Sequence, residues 1–210
     1  MTSADPPGTA RPDGAPAAAP GPSRRWHPSP GPRVTSWLVD WLVIGGWLGV
    51  LTLVGYLTRG SWTDAGTTTP TVRALLVTDL FVTLGTVVPY VLYLALTEAS
   101  GARATLGKRV GHLVVAGQDG GRPTVAGVWL RNLVKAAPWQ LAHLGVSRTL
   151  LDVQQGWAPV LVVASLVLAA ACAVPSLVGG RGLHDRVAGT RVERASAEPV
   201  APGATGRTGR

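Results

Sequence analysis

The chain reads as an all-α membrane protein: a helical bundle of three or four transmembrane helices with a small cytoplasmic strand-like segment. Three observations lead there. Stretches 37–57, 74–97 and 157–178 are apolar and nearly free of charge. Each is close to the roughly 20 residues a helix needs to cross a hydrocarbon core about 30 Å thick. The chain of 210 residues is 46% hydrophobic and only 14% charged, where a soluble domain usually carries about 25% charge. Trp37, Trp139 and Trp157 fall near span ends, as an aromatic belt would.

The remaining segments follow in order. Residues 1–30 are rich in Pro, Ala and Gly with almost no large apolar side chains. They cannot bury enough surface to offset ordering entropy, so a disordered tail is expected. They also lack the apolar region of a signal peptide. One transmembrane domain is expected over 31–195, and a second disordered tail over 196–210. The first span carries Gly45 and Gly49, a spacing that lets another helix approach closely. The second carries Pro89, a kink that neighbouring groups can accommodate. Within the polar, basic stretch 98–124, residues 112–116 predict a short strand and 118–121 a turn.

Basic flanks set the expected orientation. Arg24, Arg25 and Arg33 precede the first span; Arg103, Lys108, Arg109 and Arg122 lie between spans; Arg181, Arg186, Arg191 and Arg194 follow the last. All three regions should face the cytoplasm, which requires an even number of crossings. Residues 125–147 admit two readings: an amphipathic helix lying on the surface, or a fourth crossing with its polar face turned inward. The even count favours crossing. The insertion cost of Arg131 and Lys135, about 2.5–3.5 kcal/mol each, is the objection.

Buried charge is where chemistry is expected. Asp40 lies in the first span, seven residues after Arg33, so the two share a helix face about 10 Å apart along the axis. A cation from another helix is its expected partner, with Arg131 and Lys135 as candidates. Asp79, near the outer end of the second span, suits a helix start, where the dipole favours an acid. The run Gly101 to Lys108 imitates a phosphate loop but has five residues between its glycines, and Arg109 replaces the Mg²⁺-holding hydroxyl. His184 and Asp185 adjoin, yet no metalloprotease or hydrolase motif accompanies them. The single cysteine, Cys172, has no intramolecular disulfide partner and no CxxC motif. No catalytic residue, metal ligand or cofactor motif emerges, so an enzyme is not expected. The net charge of +8 flanks apolar helices and forms no stripe interleaved with aromatics. It suits an anionic leaflet and not nucleic acid.

Three pieces together resemble the RDD family of small multi-pass membrane proteins. They are RVTSWLVD from Arg33 to Asp40; TLGKRVGHLVV from Thr105 to Val115, followed by Asp119 and Arg131; and LHDRVAGTRV from Leu183 to Val192. The resemblance implies that Arg33, Asp40 and Asp185 are the naming positions, with Ser36 where the family often has alanine. Joined with the buried charges above, these give an expected ion or structural charge network of Arg33, Asp40, Asp185, Arg131 and Lys135, and a cytoplasmic motif containing Gly107, Lys108, Arg109 and His184. The resemblance also implies monovalent cation/proton exchange or other small-solute transport, in which Asp40 takes and releases a proton or cation. A non-catalytic scaffold that binds other membrane proteins is the alternative. Expected partners are the bilayer of the plasma membrane, monovalent cations or protons, and a homo-oligomer or other membrane proteins. The runs Leu113 to Val115 and Thr190 to Val192 could pair as a cap on the bundle.

Overall fold

The computed structural model describes residues 29–61 and 71–195. The expected tails, apart from Ser29 and Pro30 at the start of the first helix, and the middle of the loop after the first span lie outside those residues. The long helices are α1 (Pro30–Thr58), the continuous pair α2 (Val72–Val82) and α3 (Val88–Ala99), α5 (Val125–Leu150) and α6 (Ala158–Leu177). The short elements are α4 (Leu106–Val110), β1 (Leu113–Gly117), α7 (Leu183–Val187) and β2 (Thr190–Arg194).

Local chemistry explains where the helices begin. Helix α1 starts at Pro30, earlier than the apolar run, because proline at a first turn gives up only an N–H that lacks a partner anyway. Thr71, Thr105 and Thr124 cap α2, α4 and α5, each hydroxyl accepting from a backbone N–H three residues on. Pro89 cannot donate to the carbonyl of Gly85 four residues back. Two features absorb the defect. A widened turn over Thr83–Val87 joins α2 to α3. The indole Nε1 of Trp47 on α1 donates to that same Gly85 carbonyl at 2.8 Å.

Contacts along the helices give an up-down-up-down bundle. Asp40 meets Tyr93 while Trp47 meets Gly85, so α1 runs against α2–α3. Glu98 meets Asn132 and Asp79 meets Ser147, so α2–α3 runs against α5. Ser165 donates to the Pro138 carbonyl at 2.7 Å, and Gly145 lies against Ala158 and Val162, so α5 runs against α6. A Cβ on Gly145 would stand 2.8 Å from Val162 Cγ2. The glycine therefore sets this close approach. Helix α5 thus packs lengthwise along α2–α3 and α6.

The burial pattern is inverted relative to a water-soluble domain. Leu38, Leu42, Leu53, Phe81, Val163 and Leu166 point outward, while Asp40, Asp79, Glu98, Arg131, Arg148 and Asp185 are buried. Three helices, Pro30–Thr58, Val72–Ala99 and Ala158–Leu177, are long and apolar enough to cross a membrane. One apolar cluster joins Val87, Val91 and Ala136, with Tyr90, Trp129 and Trp139 packed against it.

The strands do pair. β1 and β2 form a two-stranded antiparallel sheet with Leu113 opposite Arg194, Val115 opposite Val192 and Gly117 opposite Thr190. Gly111 lies against the Pro32 carbonyl, so the sheet sits at the end of the bundle where α1 begins. The first and last described residues are therefore at one end.

Candidate functional site

The sheet-bearing end holds most of the buried charge. Glu98, at the end of α3, is fully buried. Lys108 Nζ lies 2.7 Å from its Oε1, Arg131 Nε 3.2 Å from its Oε2, and Lys135 Nζ 3.7 Å from Oε1. Asn132 Nδ2 donates to Oε2 at 2.9 Å. One carboxylate thus gathers donors from α4 and from two turns of α5. Arg131 reaches further and pairs closely with Asp185 on α7. Thr190 donates its hydroxyl to the same Asp185 oxygen at 2.8 Å, which ties in β2. His184 Nε2 stands 3.4 Å from the other Asp185 oxygen, and its buried Nδ1 has no partner.

Two groups here lie outside the long helices and titrate abnormally. Burial pushes the His184 imidazole down to about 4, against the opposing pull of Asp185, so it is neutral at pH 7. Burial acts to raise the Asp185 carboxyl, but the Arg131 guanidinium together with His184 and the Thr190 hydroxyl outweighs it. The net position is well below the usual carboxylate range.

Asp40 has a different environment from the one expected. It takes no cation. Its Oδ1 accepts from the Tyr93 hydroxyl at 2.8 Å and the Gly107 N–H at 2.9 Å, and its Oδ2 from the Thr105 hydroxyl at 2.7 Å. The carboxylate fastens α4 and α3 to α1. Gly107 is needed for this contact, since a Cβ there would collide with the Ser36 carbonyl and stand 2.8 Å from Asp40 Cγ. Arg33 does not turn toward Asp40 either. Its Nη1 donates to the carbonyls of Ser176 and Gly180 at 2.8 and 3.2 Å, holding the end of α6. A cation at carbonyls left over at a helix C-terminus is favourable electrostatically. The expected pairing of Asp40 with Arg131 or Lys135 fails because Glu98 and Asp185 already take those cations.

Asp79 is also corrected. The helix starts seven residues earlier at Val72, so Asp79 is two turns inside. It accepts from Arg148 Nη1 at 2.7 Å and Ser147 Oγ at 3.0 Å, with His143 Nε2 at 3.5 Å. This is a second charge cluster, at the opposite end of the bundle. Arg109 is exposed on α4, whereas its neighbour Lys108 is buried on Glu98.

Between α1, α3, α5 and α6 lies a cavity of about 660 Å³. Arg33, Asp40, Arg131, Lys135, His184 and Asp185 all contribute to its wall. So do Trp41 and Trp139, whose rings are 5.6 Å apart. The five residues of the expected charge network therefore share one cavity, although Arg33, Asp40 and Asp185 do not bond to one another. Glu98, Asn132, Tyr93 and Thr105 were missed as site residues. Glu98 lay at the boundary of an apolar run and a basic loop, and that juxtaposition of one acid with several bases was the available signal. Among the described residues, no group of three or more His, Cys, Asp or Glu could hold a metal ion.

An apolar exterior around buried ion pairs and a cavity defines a small multi-pass membrane-type protein. The chain belongs to the RDD family, whose family model matches residues 27–189. Comparison with curated proteins gave no match, and comparison with solved structures gave none.

Proposed function

We propose that this chain is a non-catalytic protein of the plasma membrane that carries a small solute through its central cavity. In this reading α5 is a fourth crossing, and the sheet-bearing end with both termini faces the cytoplasm. The even number of long helices and the basic residues at that end support the orientation. The cavity of about 660 Å³, walled by Arg33, Arg131, Lys135 and Asp40, carries the transport reading. Charged side chains inside an apolar bundle most often mark a substrate or ion pathway. Monovalent cation/proton exchange is one form of it, with Asp40 as the exchanging group. The three donors already on Asp40 weigh against that form.

The test uses purified protein in vesicles containing a pH dye, challenged with gradients of Na⁺, K⁺ and small organic solutes. Flux that stops in Asp40→Asn assigns a proton or cation to Asp40. Flux that survives Asp40→Asn but stops in Ala169→Trp, which fills the cavity wall on α6, assigns transport to the cavity without Asp40. Absence of flux for every solute from folded protein refutes the reading.

A specific observation favours the scaffold as a second reading. Gly45 and Gly49 lie on an exposed face of α1, and a side chain at either would meet open space. A second helix, from another copy or another membrane protein, fits such a face. Crosslinking in the membrane that disappears in Gly45→Leu and Gly49→Leu, with Asp40→Asn unaffected, would support it.

A further inference from the structure

We infer that the ligand of the central cavity is an organic anion with an apolar body, bound head-first against Lys135 and Arg33. This rests on the cavity being a solute site, as proposed above.

The argument compares acids with bases. Every acid at the cavity is occupied. Asp40 accepts three hydrogen bonds, and Asp185 is held by Arg131 and Thr190. Neither offers a cation an unclaimed pair of oxygens. The bases are less fully engaged. Lys135 stands 3.7 Å from Glu98 Oε1, an oxygen that Lys108 already holds at 2.7 Å, and its one hydrogen bond, to Asn132, is long at 3.4 Å. Arg33 has two backbone carbonyls but, among the described residues, no carboxylate partner. Its buried Nε has no hydrogen-bond partner. A cation that shares its carboxylate, as Lys135 does, or rests on carbonyls, as Arg33 does, is incompletely compensated in a low-dielectric bundle, and a bound anion reduces that cost.

The rest of the wall sets the body of the ligand. Trp41, Ile44 and Trp139 line the cavity, and such surfaces bind apolar groups. The volume lies within the range of about 300–1,000 Å³ typical of organic-ligand sites and is larger than a bare inorganic ion fills. A carboxylate or phosphate head on an apolar body satisfies both parts. Two sources share that chemistry: a free amphiphilic acid and an anionic lipid.

Trp41 and Trp139 supply the readout. The protein is placed in phosphatidylcholine nanodiscs and titrated with terminally brominated dodecanoate, dodecanol and dodecyltrimethylammonium. Bromine quenches tryptophan fluorescence on contact. Dodecanoate is expected to quench saturably at a concentration at least roughly tenfold below the alcohol, and the ammonium probe is expected to show no saturable phase. Lys135→Gln should lose that preference, while Lys135→Arg should keep it. Replacing part of the lipid with brominated phosphatidylglycerol, with no free acid present, separates the sources. Saturable quenching there assigns an anionic lipid, and quenching by dodecanoate alone assigns a free acid. Equal quenching by all three probes in the unaltered protein overturns the inference, whatever Lys135→Gln does. Flux without anion preference would sink this inference and leave the transport reading standing. Saturable anion binding without flux would do the reverse.

Discussion

Replacing Glu98 with Gln should destabilise the bundle by about 3–5 kcal/mol, the usual cost of breaking a buried ion pair by removing one partner. Glu98 is fully buried, with Lys108 at 2.7 Å, Arg131 at 3.2 Å and Lys135 at 3.7 Å. Removing its charge leaves three cations with Asp185 as the remaining acid of that network. The amide keeps the shape and one acceptor, so the loss is electrostatic and not a cavity. For a chain of this size, 1 kcal/mol shifts a melting midpoint by about 2–4 °C. The expected fall is therefore about 6–20 °C, read by thermal unfolding of purified protein at fixed detergent and pH. The double variant Glu98→Gln with Lys108→Met removes the nearest cation as well. It should recover much of the loss, because replacing a whole buried pair by apolar groups is often neutral. A Glu98→Gln midpoint within about 2 °C of the parent, or a double variant worse than the single one, would refute the charge argument.

Four other outcomes follow from the same geometry. Asp40→Asn should stay folded, since one oxygen can still accept from Tyr93 and Gly107 while the new amide donates to Thr105. Asp40→Ala removes all three bonds and should melt well below Asp40→Asn in the same assay. Gly107→Ala drives a methyl group into the Ser36 carbonyl; overpacking of this kind costs about 1–3 kcal/mol, and a midpoint equal to the parent's would contradict the contact. His184 should titrate near pH 4 by NMR of labelled histidine, against 6.5 in an unfolded chain. Its folded pKa is depressed, so its contribution is fully present above pH 6.5 and is lost as pH falls toward 4; a folded-state midpoint near 6.5 would refute the burial argument. After Cys172→Ala, the pair Val114→Cys and Glu193→Cys should crosslink on oxidation because the two positions face each other. Val114→Cys with Val192→Cys should not, since a one-residue shift points to the opposite face.

Glu98 and Gly107 show why part of the site was not legible. Glu98 looked like one charge in a basic loop, because a one-dimensional reading counts charges and does not know which share a volume. Gly107 lay in what resembled a failed phosphate loop, and its actual use, letting a backbone N–H reach Asp40, needs the position of α1. Pro89 was legible as a defect, but the donor that repairs it, Trp47, comes from 42 residues earlier.

Hydropathy, proline and threonine placement and the short strand-like runs of 112–116 and 190–192 are properties of neighbouring residues. The three apolar helices, the two strands and the membrane class could therefore be read without coordinates. Pairing of buried charges is decided differently. Asp40 had Arg33 two turns away on its own helix and two cations on α5 within plausible reach. Only the packing of α3, α4 and α7 against α5 gave those cations to Glu98 and Asp185, and left Asp40 to neutral donors. Coulomb energy and desolvation depend on distances of a few ångströms in three dimensions, and these are set by how helices far apart in the chain come together.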